Sequence, residues 1–65
     1  MNRNKLAAAI VENGMTQREV AKKLEMSPKT FYLKMKKGVF GTDEVAKMVE
    51  LLNIHDPVEI FLKNE

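Results

Sequence analysis

The feature that most constrains the fold is a very short connection between two helix signals. Residues 16–19, TQRE, form a capping box, in which Thr16 accepts from the backbone N–H of Glu19 and Glu19 reaches back to Thr16. Ser27 and Pro28 are an N-cap followed by the proline favoured at the first helical position. One helix therefore ends near residue 24 or 25 and the next begins at Ser27, with only about three residues between them.

Such a link is too short for an antiparallel hairpin and suits two helices that meet at a steep angle, which is the geometry of a helix-turn-helix. The second helix of this pair, the third in the chain, runs over residues 28–37 and ends at Gly38, with lysines in its last turn, where the helix dipole favours cations. Phe31 and Met35 share one side of it and are the predicted core contacts.

Three further helix signals make the chain all-α. The first helix covers residues 2–13, with Leu6, Ala9 and Ile10 on one stripe. Thr42 caps a fourth helix, and a short fifth follows an Asp56 cap with Glu59 completing a second capping box. The predicted apolar residues of the second, fourth and fifth helices are Val20, Ala21, Leu24, Val45, Met48, Val49, Leu52, Ile60, Phe61 and Leu62.

Length and composition limit the chain further. Its 65 residues suit a single domain over residues 1–65 and exclude a two-domain enzyme. It has no cysteine, so it must fold on its apolar core without disulfides or thiolate metal sites. The apolar stretch at residues 6–11 is shorter than the core of a signal peptide or a membrane span, so we expect a cytoplasmic protein.

The formal net charge of +2 hides an uneven distribution. Residues 16–38 carry seven basic and two acidic side chains, whereas residues 39–65 carry two basic and six acidic ones. The third helix adds to the basic segment a face that bears Lys29, Leu33 and Lys36, with Tyr32 and Lys37 on its shoulders. Lysines attract phosphates and can donate to guanine, and a leucine can touch a thymine methyl, so this face is suited to the DNA major groove. The alternative is a solvated lysine-rich face with one exposed leucine.

The chain resembles the lambda-type phage repressor and Cro family, also called the XRE family. Residues 16–38, TQREVAKKLEMSPKTFYLKMKKG, carry the resemblance through Thr16, Gln17, Ala21, Leu24, Met26, Ser27 and Phe31. The later stretch EVAKMVELLNIHDPVEIF is similar to the family's tail of a helix, a short turn and a small helix. The resemblance implies a compact five-helix lambda-repressor-like domain that acts as a sequence-specific regulator of transcription.

The resemblance also implies roles for individual residues. Gln17 would support the recognition helix and bind a phosphate or a base, while Pro28, Lys29 and Leu33 occupy base-reading positions. Pro28 departs from the family by having no donor, and Glu25 by standing where glycine is common. We expect backbone N–H groups at the starts of the second and fourth helices to anchor phosphates. The full predicted DNA-binding set is Thr16, Gln17, Ser27, Pro28, Lys29, Tyr32, Leu33, Lys36, Lys37 and Thr42.

Residues that resemble catalytic or metal-binding groups have simpler interpretations. His55 is the only histidine and lies in a linker without a predicted partner. The acidic pairs Asp43 with Glu44 and Asp56 with Glu59 lie in first helical turns, where they complement the dipole. We therefore expect no catalytic residue, metal, cofactor or small-molecule substrate.

The expected partners are double-stranded DNA and a second copy of the chain. A single module makes a small interface, so we expect a homodimer on a pseudo-palindromic operator. The apolar tail of Val58, Ile60, Phe61 and Leu62 could form the dimer contact or could instead complete the core. An alternative function is a protein-binding module, antirepressor-like or antitoxin-like, that uses the acidic region from residue 43 to 59.

Overall fold

A computed structural model describes residues 1–63, and helices are the only regular secondary structure within them. The elements are α1 (Arg3–Glu12), α2 (Gln17–Lys23), α3 (Pro28–Lys37), α4 (Thr42–Leu51) and α5 (Val58–Leu62), a single π-helical turn. The predicted all-α chain of five helices is thus confirmed for the described part. Within the same residues no helix has the length and apolar character needed to cross a membrane.

The starts of α2 and α3 follow the predicted caps, and the start of α4 does not. Thr16 and Glu19 form the reciprocal capping box, and the Ser27 hydroxyl accepts from the backbone N–H of Thr30 at 3.1 Å. The prediction of Thr42 as the N-cap of α4 is wrong by one residue. Gly41 is the cap, and its backbone N–H donates to Glu44 Oε1 at 2.7 Å. The Glu44 carboxylate satisfies the backbone N–H of the cap residue, so the cap position needs no polar side chain. Thr42 has such a side chain, which is why the sequence indicates it as the cap.

The start of α5 is only partly as predicted. The Asp56 carboxylate accepts from the backbone N–H of Glu59 at 3.3 Å, as a cap should. The Glu59 carboxylate, which a second capping box would direct to the Asp56 backbone, is engaged by Lys5 at 3.1 Å and Lys63 at 3.2 Å. The predicted capping box is therefore replaced by ion pairs, one of which ties α5 to α1.

The four α-helices end in the same way. In each, a residue with positive φ follows the last turn, and the next backbone N–H returns to the carbonyl five residues back, the arrangement of the Schellman motif. The left-handed residues are Gly14, Glu25, Gly38 and Asn53, and the residues that donate are Met15, Met26, Val39 and Ile54. The donors are all apolar, and three of them, Met15, Met26 and Ile54, pack against the core, whereas Val39 is exposed.

The core receives side chains from all five helices. Phe31 is completely buried, and its ring lies 5.4 Å from that of Phe40 in the loop before α4. The predicted inward stripes of α2 and α3 are buried, whereas Ala9 of α1 and Val45 and Val49 of α4 are only partly buried. The buried residues are Leu6, Ile10, Val20, Ala21, Leu24, Phe31, Met35, Met48, Leu52 and Ile60.

Candidate functional site

The outer face of α3 is the most distinctive surface of the described chain. Burial of Phe31 and Met35 fixes the rotation of the helix, so Lys29, Leu33 and Lys36 point outward as the sequence predicts. Tyr32 is 68% exposed and Leu33 is 48% exposed, which leaves a large aromatic and a large aliphatic side chain open between lysines. Isolated exposed apolar residues are ordinary, but two adjacent ones framed by cations form a patch that can contact a partner.

Two depressions flank Tyr32 on this surface. The first, called here the apolar depression, has a volume of ≈ 490 Å³. Its surface is almost wholly apolar, because the three basic residues in its lining contribute mainly aliphatic carbons. Its lining residues are Arg3, Lys29, Tyr32, Leu33, Met35 and Lys36.

The second, called here the polar depression, measures ≈ 360 Å³ and is lined by Gln17, Arg18, Pro28 and Tyr32. It brings Gln17 of α2 beside the first residue of α3, as the predicted supporting role requires. Gln17 Oε1 is buried and accepts no hydrogen bond from the described residues. Buried acceptors are normally satisfied, so Gln17 Oε1 is an exception within the described residues.

Arg3 is a member of this surface that the sequence analysis missed. Its guanidinium donates from Nη1 to the backbone carbonyl of Lys36 at 2.8 Å, which joins the first turn of α1 to the last turn of α3. The start of the chain is also fixed, because the backbone N–H of Asn2 donates to the carbonyl of Ile60 at 2.6 Å. Arg3 and Lys36 are 33 residues apart, and no local pattern in the sequence predicts their contact.

Some of the basic residues of the segment 16–38 face other partners. Lys34 forms an ion pair with Glu44 of α4 at 2.6 Å, and Lys23 lies beside Lys47 and Glu50 of α4. The hydrogen bond from Lys34, with that from the Gly41 backbone, lowers the pKa of Glu44. The net charge of the segment therefore overstates the charge that the open face of α3 presents.

The predicted phosphate anchors at helix starts have carboxylates close by. The backbone N–H of Thr16 donates to Glu19 Oε1 at 3.0 Å, and Glu44 accepts at the start of α4. Thr42 lines a depression separate from the two beside Tyr32. Anion binding by Thr16 and Thr42 stays a prediction, and it would have to compete with these carboxylates. Gln17 is the member of this group that lies beside α3.

A third surface, called here the C-terminal groove, lies between the start of α4 and α5. It measures ≈ 430 Å³, and no charged side chain of residues 1–63 lines it; its residues are Met1, Gly38, Val39, Phe40, Thr42, Val45, Pro57, Val58, Phe61 and Leu62. The apolar tail is divided between core and surface. Ile60 is buried and Phe61 partly so, while Val58 is 49% and Leu62 is 78% exposed.

His55 is exposed in the link before α5. Within residues 1–63, no three histidine, cysteine, aspartate or glutamate side chains are grouped so that they could hold a metal ion. Comparison with known proteins gives no match to a family model, to a curated protein or to a solved structure.

Proposed function

We propose that the protein is a sequence-specific double-stranded DNA-binding regulator of transcription, in which α2 and α3 act as a helix-turn-helix and α3 enters the major groove. The observation that carries the proposal is the exposed face of α3, where Tyr32 and Leu33 stand between Lys29 and Lys36. The tight turn before α3 and the core burial of Phe31 hold this face open. The resemblance to lambda-type phage repressors and Cro proteins supports the same function.

The side chains of this face divide by the chemistry they offer. Lys36 and Lys37 are long cations near the end of α3 and are assigned to phosphates. Lys29, in the first turn, can donate to guanine O6 and N7, and Leu33 can contact a thymine methyl. Gln17 and Pro28 meet at the polar depression, where Gln17 can bind a phosphate or a base edge and Pro28 can supply an apolar contact.

The test is selection of bound sites from random duplex DNA with the parent protein and three variants. Lys29→Ala and Leu33→Ala are expected to change the preferred sequence, because each removes a base contact. Lys36→Ala is the matched control from the same face. It should weaken binding to all sequences alike and reduce the slope of affinity against salt by about one unit. Equal behaviour of the three variants would contradict the residue assignments, and a protein without affinity for duplex DNA at low salt would contradict the function.

The C-terminal groove supports a homodimer as the binding form. It presents exposed apolar side chains, Val58 and Leu62 among them, and no charged side chain of the described residues lines it. An isologous contact of this kind needs one self-complementary patch. Two copies would place two α3 helices on half-sites about 34 Å apart, which matches a pseudo-palindromic operator.

A protein-binding role for the acidic residues from 43 to 59 has less support. Glu44 and Glu59 are already paired with Lys34 and Lys5, so part of the acidic charge is neutralised within the chain. Retention of a basic partner protein, together with no affinity for duplex DNA, would favour that function over the one proposed.

A further inference from the structure

We propose that Asn13 is a site of spontaneous deamidation, and that the fold holds it in an unreactive conformation until the end of α1 separates from the end of α4. The sequence has five asparagines, and Asn13 alone among them is followed by a glycine, Gly14. Glycine has no side chain to shield its backbone nitrogen, so that nitrogen can reach the preceding side chain more easily than any other residue's can. The only other reactant is water.

The reaction has two steps. The Gly14 nitrogen loses its proton to water or hydroxide and bonds to Cγ of Asn13, which closes a succinimide ring, while the Cγ–Nδ2 bond breaks and Nδ2 takes up a proton and leaves as ammonia. Water then opens the ring at one of its two carbonyl carbons. Opening at Cγ gives aspartate, and opening at the backbone carbonyl carbon gives isoaspartate.

The backbone of Asn13 keeps the reacting atoms apart. Asn13 is the C-cap of α1, with φ of −92° and ψ of 12°. At this ψ the Gly14 nitrogen lies on the side of the backbone away from the Asn13 side chain, so the peptide must rotate before the ring can close. The Gly14 N–H donates to the carbonyl of Val11 at 2.9 Å, and the Met15 N–H donates to that of Ile10 at 3.1 Å. The rotation therefore requires the end of α1 to unwind.

The side-chain amide of Asn13 is held at the same time. Its Nδ2 donates to the carbonyl of Ala9 at 2.7 Å and to that of Leu52 at 2.9 Å, which engages both N–H bonds of the amide. Its Oδ1 accepts from Nδ2 of Asn53 at 3.1 Å. Leu52 and Asn53 follow directly after α4, so two of these three bonds break when the ends of α1 and α4 separate. Reaction at Asn13 thus waits for this local opening.

Both products prevent the helix ends from rejoining as before. Each carries a carboxylate in place of the amide, and a carboxylate has no N–H to donate to the carbonyls of Ala9 and Leu52. Isoaspartate also adds one methylene to the main chain at the end of α1. The modified chain therefore lacks the side-chain link between α1 and α4.

The experiment incubates the full chain at mildly alkaline pH, in buffer and in urea at the same pH. Peptide mapping by mass spectrometry follows the tryptic peptide of residues 6–18, which contains Asn13, and separates aspartate from isoaspartate. In urea, Asn13 should react faster than the other asparagines. In buffer, it should react at least about tenfold more slowly than in urea, because only the opened conformation reacts. Circular dichroism verifies that the protein in buffer is folded.

Two variants test whether the contact with α4 holds Asn13 in place. Asn53→Gly removes the hydrogen bond to Asn13 Oδ1 and suits the left-handed backbone of position 53, where φ is 51°. It should raise the rate in buffer about three- to tenfold, the equivalent of one hydrogen bond, and leave the rate in urea unchanged. Glu25→Gly is the matched control, because it makes the same change at a left-handed residue after α2 and removes no hydrogen bond of Asn13. Its rate in buffer should equal that of the parent.

Three results would overturn the inference, and none of them bears on DNA binding. The first is a rate at Asn13 in urea no higher than that of the other asparagines. The second is a parent protein that reacts as fast in buffer as in urea. The third is a rate in buffer that Asn53→Gly leaves unchanged, or that Glu25→Gly raises as much.

Discussion

At the scale of single residues, Glu25 stands out because it is a non-glycine residue with a left-handed backbone conformation. It has φ of 59° at the end of α2, where the equivalent residues after α1 and α3 are Gly14 and Gly38. The motif needs a left-handed residue there, because the N–H groups of Glu25 and Met26 return to the carbonyls of α2 at 3.0 Å. The backbone of Glu25 is therefore strained, and this strain accompanies the tight turn that precedes α3.

Glu25→Gly is expected to stabilise the protein. Glycine removes the left-handed strain but also increases the backbone entropy of the unfolded chain, so the net gain is about 0.5–1 kcal/mol. Glu25→Ala is the control, because it removes the carboxylate and keeps the strain. Thermal unfolding followed by circular dichroism should rank glycine above alanine and above the parent. If glycine and alanine variants have the same Tm, strain at this turn is not the cause.

At the scale of elements, Glu44 joins α3 to α4. Its Oε2 accepts from Lys34 at 2.6 Å and its Oε1 accepts from the Gly41 backbone at 2.7 Å, so one carboxylate both caps α4 and connects it to α3. The Lys34 side chain is 36% exposed and the Glu44 side chain is 22% exposed. A pair with this much exposure contributes less than about 1 kcal/mol to stability, so Glu44 links the two helices without dominating the stability of the fold.

Glu44→Gln is expected to lower stability in a pH-dependent way. The hydrogen bond from Lys34 and that from Gly41 lower the pKa of Glu44, so its ionised form favours the folded state. This contribution is complete above the ordinary glutamate pKa and is lost as the pH falls through the lowered pKa of the folded state. The Tm difference between parent and variant should therefore be largest near neutral pH and shrink in acid.

The control for this prediction is Glu50→Gln, an exposed glutamate on the same helix. It removes the same charge from α4 without touching the Lys34 pair, so its Tm difference from the parent should be smaller near neutral pH. Equal pH dependence of the two variants would show that the overall charge of α4, and not the link to α3, is responsible.

At the scale of the whole molecule, the sequence predicts what depends on neighbours along the chain. The caps at Thr16 and Ser27 and the burial of Phe31 follow from local spacing, and they are confirmed. Arg3 at the α3 surface and Lys5 at Glu59 depend on how α1 lies across the fold, which no local pattern encodes. The charge of a segment likewise indicates how many lysines it has, but not which of them face a different helix.

The division of the apolar tail also depends on the whole fold. Spacing alone left Val58, Ile60, Phe61 and Leu62 as either core or contact surface, and tertiary packing assigns Ile60 to the core and leaves Val58 and Leu62 exposed. Short terminal helices can turn either face inward, because the neighbouring elements decide the rotation. For that reason the C-terminal groove is visible only once α4 and α5 are positioned together.

Val58→Asp is expected to weaken self-association and DNA binding together. Val58 is 49% exposed in the C-terminal groove, so a charge there spares the core but is repelled by its own copy across a two-fold contact. Val11→Asp is the matched control, because Val11 is 73% exposed on α1 and does not line the groove. Sedimentation equilibrium should show fewer dimers for Val58→Asp alone, with a loss of affinity for a two-half-site duplex and little change for a single half-site. A parent protein that stays monomeric at all concentrations, on DNA and off it, would contradict the proposed dimer.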